Sequence, residues 1–325
     1  MDNSLPGACE AQDRPMTPSL GAQQFPDRPF TVAEAREHGV SRKRLGARDL
    51  TAPFWGVRMK NDGESATSDD PSTTPGRCRA FSLRMPDHAV FSHITAAELH
   101  GLPLPRALRN LSSLDVTVPE GERPIDAKDI RGHCHRLDPI DIEELGGLRL
   151  TTVARTWCDL ASVLDQVELV AVGDRIIFHD KPYATRDELA RAVDAHGRRW
   201  GARPLRAVLP RLSDRAESPR ESRLRMMIVD AGLPAPYVNP EIPCTCGSIH
   251  RIDLAYAALR IGIEYDGDHH RTDRHQWRKD VTRIRHLEAL GWSMVRVTAG
   301  DLESPASLFR TLRDKIDERI RSLTR

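Results

Sequence analysis

Three acids in "RIDLAYAALRIGIEYDGDHH" (Arg251–His270) carry the first chemistry this sequence suggests. Ile252, Leu254 and Tyr256 alternate with Asp253 and Ala255, and Ile261, Ile263 and Tyr265 alternate with Gly262, Glu264 and Asp266. That period of two predicts two strands joined by a short connection near residues 257–260. Asp253 interrupts the first apolar run, while Glu264 and Asp266, two residues apart, share a face of the second. A carboxylate placed among core positions is costly unless it is paired, hydrogen-bonded or bound to a metal. Either this face is solvated or it holds a cation, and Asp253 and Glu264 on adjacent strands can converge on one ion.

The elements around these acids read as one unit. "SPRESRLRMMIVDAGLP" predicts a helix with Leu224, Met227, Ile228 and Ala231 on one face and Gly232 as its end. "PYVNPEIP" is a candidate first strand and "CTCGS" a tight turn, followed by the two acid-bearing strands. "TDRHQWRKDVTRIRHLEALG" predicts an amphipathic helix with Trp277, Val281, Ile284, Leu287 and Leu290 inward. "WSMVRVT" is a further strand, and "SPASLFRTLRDKIDERIRSL" closes as a helix. Cys244-Thr-Cys246 with His250 offers too few ligands for a closed zinc site, so a hairpin turn is expected there.

This order, with D-(x10)-E-x-D on the second and third strands, resembles the restriction-endonuclease-like PD-(D/E)XK superfamily. The wording "RIDLAY…IGIEYDGDHH…D-x-x-R…L…GW-x-x-x-RV" is similar to the group related to very-short-patch-repair endonucleases, over about residues 217–302. The resemblance implies an αβββαβ core, Mg²⁺ (or Mn²⁺) held by Asp253, Glu264 and Asp266, and DNA phosphodiester hydrolysis. Such a cation polarises phosphate and lowers the pKa of an attacking water. Asp266 would share the metal or hold its water, and Gly267 would let the substrate backbone approach. His269 or His270 would serve as general acid or base, or as an outer ligand. Glu221, on the preceding helix, stands where the superfamily often adds an acid for a metal water. Asp280 and Arg283 are spaced to pair with each other or to face the site. The superfamily usually has Lys at its last motif position; here that position is Asp266, and no Lys occurs between Arg251 and Arg278.

The rest of the chain supplies context. Its 325 residues suffice for two or three domains, and 39% hydrophobic with 29% charged residues suits a water-soluble fold. Net charge is only +1, so any nucleic-acid binding must come from local patches. The basic residues are 42 Arg and six Lys, read as a codon bias toward GC-rich triplets. Six scattered Cys, a polar start and no long apolar run lead to the expectation of a reduced, cytoplasmic setting with no membrane contact.

Residues 1–29 are expected to be a disordered lead-in. In residues 30–58, Thr31 and Ser41 are expected to cap two helices around the turn at Gly39, with "TAPFWGVR" as a wing. Six Arg/Lys stand there against Glu34, Glu37 and Asp49, with Arg42, Lys43, Arg44 and Arg48 on the second helix as candidate DNA contacts. Residues 59–78 are expected to be a linker. A mixed α/β region over 79–196 follows, with strands at "LDVTVP" and "GHCHRL" and helices at "SHITAAELHG", "TTVARTWCDLASVL", "QVELVAVGDRIIFH" and "TRDELARAVDAHG". His93, His100, His133 and His135 are expected to be structural or surface residues. Residues 197–216, with five Arg and no acid between Gly197 and Arg211, are a basic connector, either solvated or phosphate-contacting.

The motifs "FTVAEAREHGVSRKRLGAR…FWGVR", "FSHITAAELHGLP" and "TTVARTWCDLA" resemble AbiEi-type antitoxins of type IV toxin–antitoxin systems, although "GVR" stands where "GVY" is usual. That resemblance implies a winged helix-turn-helix joined to an α/β domain. The expectation is therefore a multidomain α/β protein: winged helix-turn-helix, α/β middle domain and restriction-endonuclease-like domain over 217–325. Its expected activity is that of a Mg²⁺-dependent DNA endonuclease. The alternatives are a non-cutting DNA-binding regulator of antitoxin type and a protein-interaction scaffold. A toxin partner and a homodimer both stay open.

Overall fold

The computed structural model describes residues 28–60, 70, 72–244, 247–266 and 274–324, with backbone alone for 274–281. The chain is α/β, with mixed sheets.

The N-terminal part holds β1 (Phe30–Thr31), α1 (Val32–Glu37), β2 (Leu50–Thr51) and β3 (Val57–Lys60), with β3 central in a small antiparallel sheet. Thr31 caps α1 as expected, its hydroxyl accepting the Glu34 N–H at 3.0 Å. The second expected helix is absent. Residues Arg44–Gly46 form a single 3₁₀ turn, the Arg44 N–H donating to the Ser41 hydroxyl at 3.2 Å, and Ala47 is already extended. Leu45 is anchored in the small core while the chain must reach the pairing of Leu50 with Lys60 four residues after Gly46, which leaves no length for further turns.

The central part starts with α2 (Thr74–Ser82), where a linker through residue 78 was expected. Thr73 caps it, with Pro75 in its first turn, and Cys78, Ala80 and Phe81 are buried. Then come β4 (Val90–Phe91), α3 (His93–Leu99), β5 (Leu114–Pro119), β6 (Ile130–His135), β7 (Ile142–Leu145) and β8 (Leu148–Thr151). They form a five-stranded mixed sheet in the order β6-β5-β4-β8-β7. Helices α4 (Val153–Leu160), α5 (Gln166–Ile176), α6 (Arg186–His196) and α7 (Ala202–Val208) build a helical core around Trp157, Leu160, Leu169 and Ile176. Helix α7 lies in the expected connector, and its Ala202, Leu205 and Val208 are buried on one face, so this stretch is core as well as basic surface.

Helix α8 (Pro219–Asp230) is shared. Met226 packs into the helical core, while Leu224 and Ile228 pack on the C-terminal sheet. Met226 is fully buried and Met227 only half-buried, so the single stripe expected through Met227 is replaced by two buried faces. Between α5 and α8, Arg225 pairs with buried Asp174 at 2.8 Å and Arg223 grips Glu168 with two 2.7 Å bonds.

The expected first strand is broken. β9 (Tyr237–Val238) ends at Asn239, whose φ is +44°, and the chain then makes a hairpin of β10 (Glu241–Pro243) and β11 (Ile249–Arg251). β12 (Leu254–Tyr256) and β13 (Ile261–Tyr265) follow, joined by a turn that closes with Arg260 in the left-handed region. After α9 (Arg274–Ala289) comes β14 (Ser293–Val297), then α10 (Ala299–Glu303) and α11 (Ala306–Leu323). The sheet order is β14-β13-β12-β9, with β13 and β14 parallel and the other pairs antiparallel. One face packs on α8 and α11, the other on Leu287 of α9. Gly262 makes this layering possible: a Cβ there would lie 2.6 Å from the Met294 sulfur. No helix among the described residues is long and apolar enough to cross a membrane.

Candidate functional site

Strand register brings the first two acids together. Leu254 pairs with Ile263, so Asp253 lies across from Glu264 at the end of the β12–β13 ladder. The Asp253 carboxylate accepts the Tyr265 N–H at 2.8 Å, and its backbone carbonyl accepts the Asn239 N–H at 2.9 Å. Burial pushes the Asp253 carboxyl up to about 7; the Tyr265 bond opposes this, Glu221 and Glu264 push the same way, and Arg283 pulls back.

Glu221 comes from the first turn of α8 and is buried. One of its oxygens accepts the Glu217 N–H at 3.0 Å and an Asn239 side-chain N–H at 2.7 Å. Burial raises its carboxyl above the ordinary range. Asn239 also donates to the Arg215 carbonyl at 2.8 Å, so it ties the strand break to the start of α8. Sequence reasoning missed this residue. The available signal was an Asn before Pro inside a strand pattern, since Asn tolerates positive φ.

Glu264 is 9% exposed, and both its oxygens are held by the Arg283 guanidinium from α9. Arg283 also donates to the Arg251 carbonyl at 3.1 Å. Arg283 faces the acids, while its expected pairing with Asp280 falls on a side chain outside the described residues. The Asp280 side chain, together with His269, His270 and Gly267, lies outside the described residues.

Asp266 is placed differently. It is exposed just past β13, its N–H donating to Val297, with Arg296 of β14 3.9 Å from its carboxylate. The charges acting on Asp253 are Glu221, Glu264 and Arg283, so these acids are neighbours, although among the described residues they are not one of the clusters whose ligand atoms all lie within 4.8 Å of one another. Drawn closer together, with Arg283 displaced from Glu264, their oxygens would form a donor set that suits a hard divalent cation. The charge of such an ion would offset the desolvation of Asp253 and Glu221, and it would compete with Arg283 for Glu264.

The basic N-terminal residues surround a groove of about 1030 Å³ lined by Arg36, Arg42, Arg58, Trp55 and Arg84. Arg42, Lys43 and Arg48 are exposed, whereas Arg44 makes a bidentate pair with Asp49 at 2.7 and 2.6 Å. Arg58, at the end of the expected wing, donates to the Leu45 carbonyl at 2.8 Å and so ties β3 to the 3₁₀ turn. Trp55 is 84% exposed and stacks with the Arg84 guanidinium 4.5 Å from its ring centre. Neither Trp55 nor Arg84 was singled out from sequence.

At the hairpin, the turn is present, with Gly247 donating to the Cys244 carbonyl at 3.0 Å. The structure adds a donor that sequence spacing did not offer. His286 of α9 lies 3.2 Å, nitrogen to nitrogen, from His250, and a ligand atom of Cys244 is within 4.8 Å of both.

No family model matches the chain. It is 28% identical over 227 residues, 70% of this chain and 80% of theirs, to two uncharacterized Mycobacterium tuberculosis proteins, from strains CDC 1551 and H37Rv.

Proposed function

We propose that the protein is a Mg²⁺-dependent (or Mn²⁺-dependent) DNA endonuclease. In this reading its C-terminal αβββαβ core is restriction-endonuclease-like, and the small basic N-terminal module, which lacks the second helix of a helix-turn-helix, brings it to DNA. The observation that supports the reading is the pairing of Asp253 with Glu264 across adjacent strands and the influence of Glu221 from the neighbouring helix, in an environment that drives Asp253 up to about 7. A buried acid raised by burial and by neighbouring acids, as Asp253 is, is poorly placed for stability alone, and such perturbation clusters at functional sites.

When bound, the cation would supply phosphate polarisation and a more acidic attacking water. Asp253 and Glu264 would be its protein ligands. Glu221, positioned by Asn239, would hold a water proton. Asp266, exposed at the strand end, would face incoming substrate or an outer water. Arg283, once displaced from Glu264, would be available to phosphate oxygens.

A second reading is a non-cutting DNA-binding regulator of antitoxin type. It is favoured by the complete occupation of Glu264 by Arg283 and by Asp266 standing where Lys is usual.

The test is cleavage of plasmid and oligonucleotide DNA with Mg²⁺ or Mn²⁺, comparing wild type with Asp253→Ala and Glu264→Ala. Cutting by wild type alone supports the nuclease. Equal cutting by all three refutes this site. DNA binding without cutting by wild type favours the regulator.

A further inference from the structure

Three histidines expected to be merely structural or surface residues gather on the central sheet, in a unit separate from the acids. His133 and His135 are two residues apart on β6 and so share a face. His93 opens α3 with φ of +48°, a strained conformation for a non-glycine residue that its surroundings must enforce. One ring nitrogen from each of the three lies within 4.8 Å of the other two. His100, by contrast, is spoken for by the Thr151 carbonyl at 2.8 Å.

The hydrogen-bond partners of the rings select which nitrogens can serve as ligands. Burial drives His93 down to about 3, with His133 adding to the effect, and burial lowers His135 as well. His133 Nε2 is 2.9 Å from Asp115 Oδ1, which makes Nε2 the protonated nitrogen and turns Nδ1 into the available donor. His93 Nδ1 is engaged by Ser92 Oγ at 3.0 Å, leaving Nε2.

A second observation points the same way. Asp115 is 1% exposed, and its Oδ2 has no hydrogen-bond partner. Arg131 reaches only Oδ1, at 3.2 Å. A buried carboxylate with one oxygen uncompensated is costly. Positive charge on the far side of His133 would offset that cost, as in carboxylate–histidine–metal arrangements. The His93 and His133 rings are stacked, 3.9 Å between centres and 16° apart in plane. Their in-plane lone pairs therefore meet at one ion only after one ring turns about χ2.

We propose that His93, His133 and His135 bind a divalent first-row transition cation, Zn²⁺ in the first instance, with Asp115 as the outer partner of His133. Imidazole donors favour Zn²⁺, Ni²⁺ or Cu²⁺ over Mg²⁺, so this site differs in kind from the all-oxygen one. Three protein ligands leave a coordination position for water or an anionic oxygen.

The test uses the full-length chain, stripped with chelator. Co²⁺ is added while the visible and near-ultraviolet spectrum is followed. In parallel, diethylpyrocarbonate labelling with and without Zn²⁺ is mapped by mass spectrometry. The expected result is a d–d band without thiolate charge transfer, and Zn²⁺ protection at His133 and His135. Asp115→Asn should weaken Zn²⁺ binding about 10–100-fold, and His135→Gln at least as much, with circular dichroism unchanged. A thiolate charge-transfer band with protection confined to His250 and His286 would place the metal at Cys244 and overturn the proposal. So would the absence of saturable binding at micromolar Zn²⁺. If a variant fails to fold, labelling of the wild-type chain decides.

Discussion

At the scale of single residues, Asp253 has the clearest energetic consequence. Its carboxyl is raised to about 7 in the folded chain, against an ordinary value of 3.8. Between those values the native state keeps a proton that the unfolded state has lost, so stability falls as pH rises from about 4 to about 7 and is flat above. Asp253→Asn, whose side-chain carbonyl can still accept the Tyr265 N–H, should be more stable than wild type at pH 8, on the order of 4 kcal/mol, and equal to it near pH 4. Thermal melts across that range check this. Arg283→Ala makes a complementary case. It leaves Glu264 buried without its guanidinium, and the cost should be about 3 kcal/mol. On the proposed function, millimolar Mg²⁺ should recover much of that loss; urea melts with and without Mg²⁺ test both statements. The acids were legible because period-two patterning marks them as misfits. The choice of Glu264 by Arg283 was not, because it depends on how α9 crosses the sheet.

At the scale of elements, α8 behaves as a keystone between two cores. Its Arg225–Asp174 pair is buried, and breaking one partner of such a pair typically costs 3–5 kcal/mol. Asp174→Ala should shift the urea midpoint accordingly, without altering the Asp253 pH dependence. Helices α2 and α7 teach a different lesson. Both occupy stretches whose composition suggested a linker or connector. Their signals were present: Thr73 before Pro75 for α2, and Ala202, Leu205 and Val208 three apart for α7. Polar composition and a run of Arg outweighed them. The reverse error occurred at residues 42–50, where basic helix-like wording yields one 3₁₀ turn because strand pairing at Leu50 claims the chain.

At the scale of the whole molecule, a net charge of +1 makes any DNA affinity a matter of local surface. The N-terminal groove combines Arg36, Arg42 and Arg84 with exposed Trp55. On the proposed function, Arg42→Ala should reduce the salt dependence of DNA binding by about one unit of slope without changing the melting temperature. Trp55→Ala should weaken binding to single-stranded DNA by about 1–3 kcal/mol if bases stack there. Fluorescence anisotropy over a salt series reads both. The sharing of α8 also bears on where the chain can be divided. A fragment beginning at residue 217 exposes Met226 and Arg225, so it should unfold at lower urea than a fragment beginning at 153.

By itself the sequence determined the α/β alternation, the strands at residues 114–119 and 130–135, the long helices of the central part and the position of the acid-bearing strands. Apolar periodicity and caps are local properties, and these segments fold according to them. Tertiary structure decided which charged groups meet. Asp253 faces Glu264 through strand register, Glu221 joins them through the Asn239 break, and Asp266 is left exposed. His133 and His135 find His93 forty residues away along the chain, and His250 finds His286. Such encounters depend on how layers cross, which no local periodicity encodes.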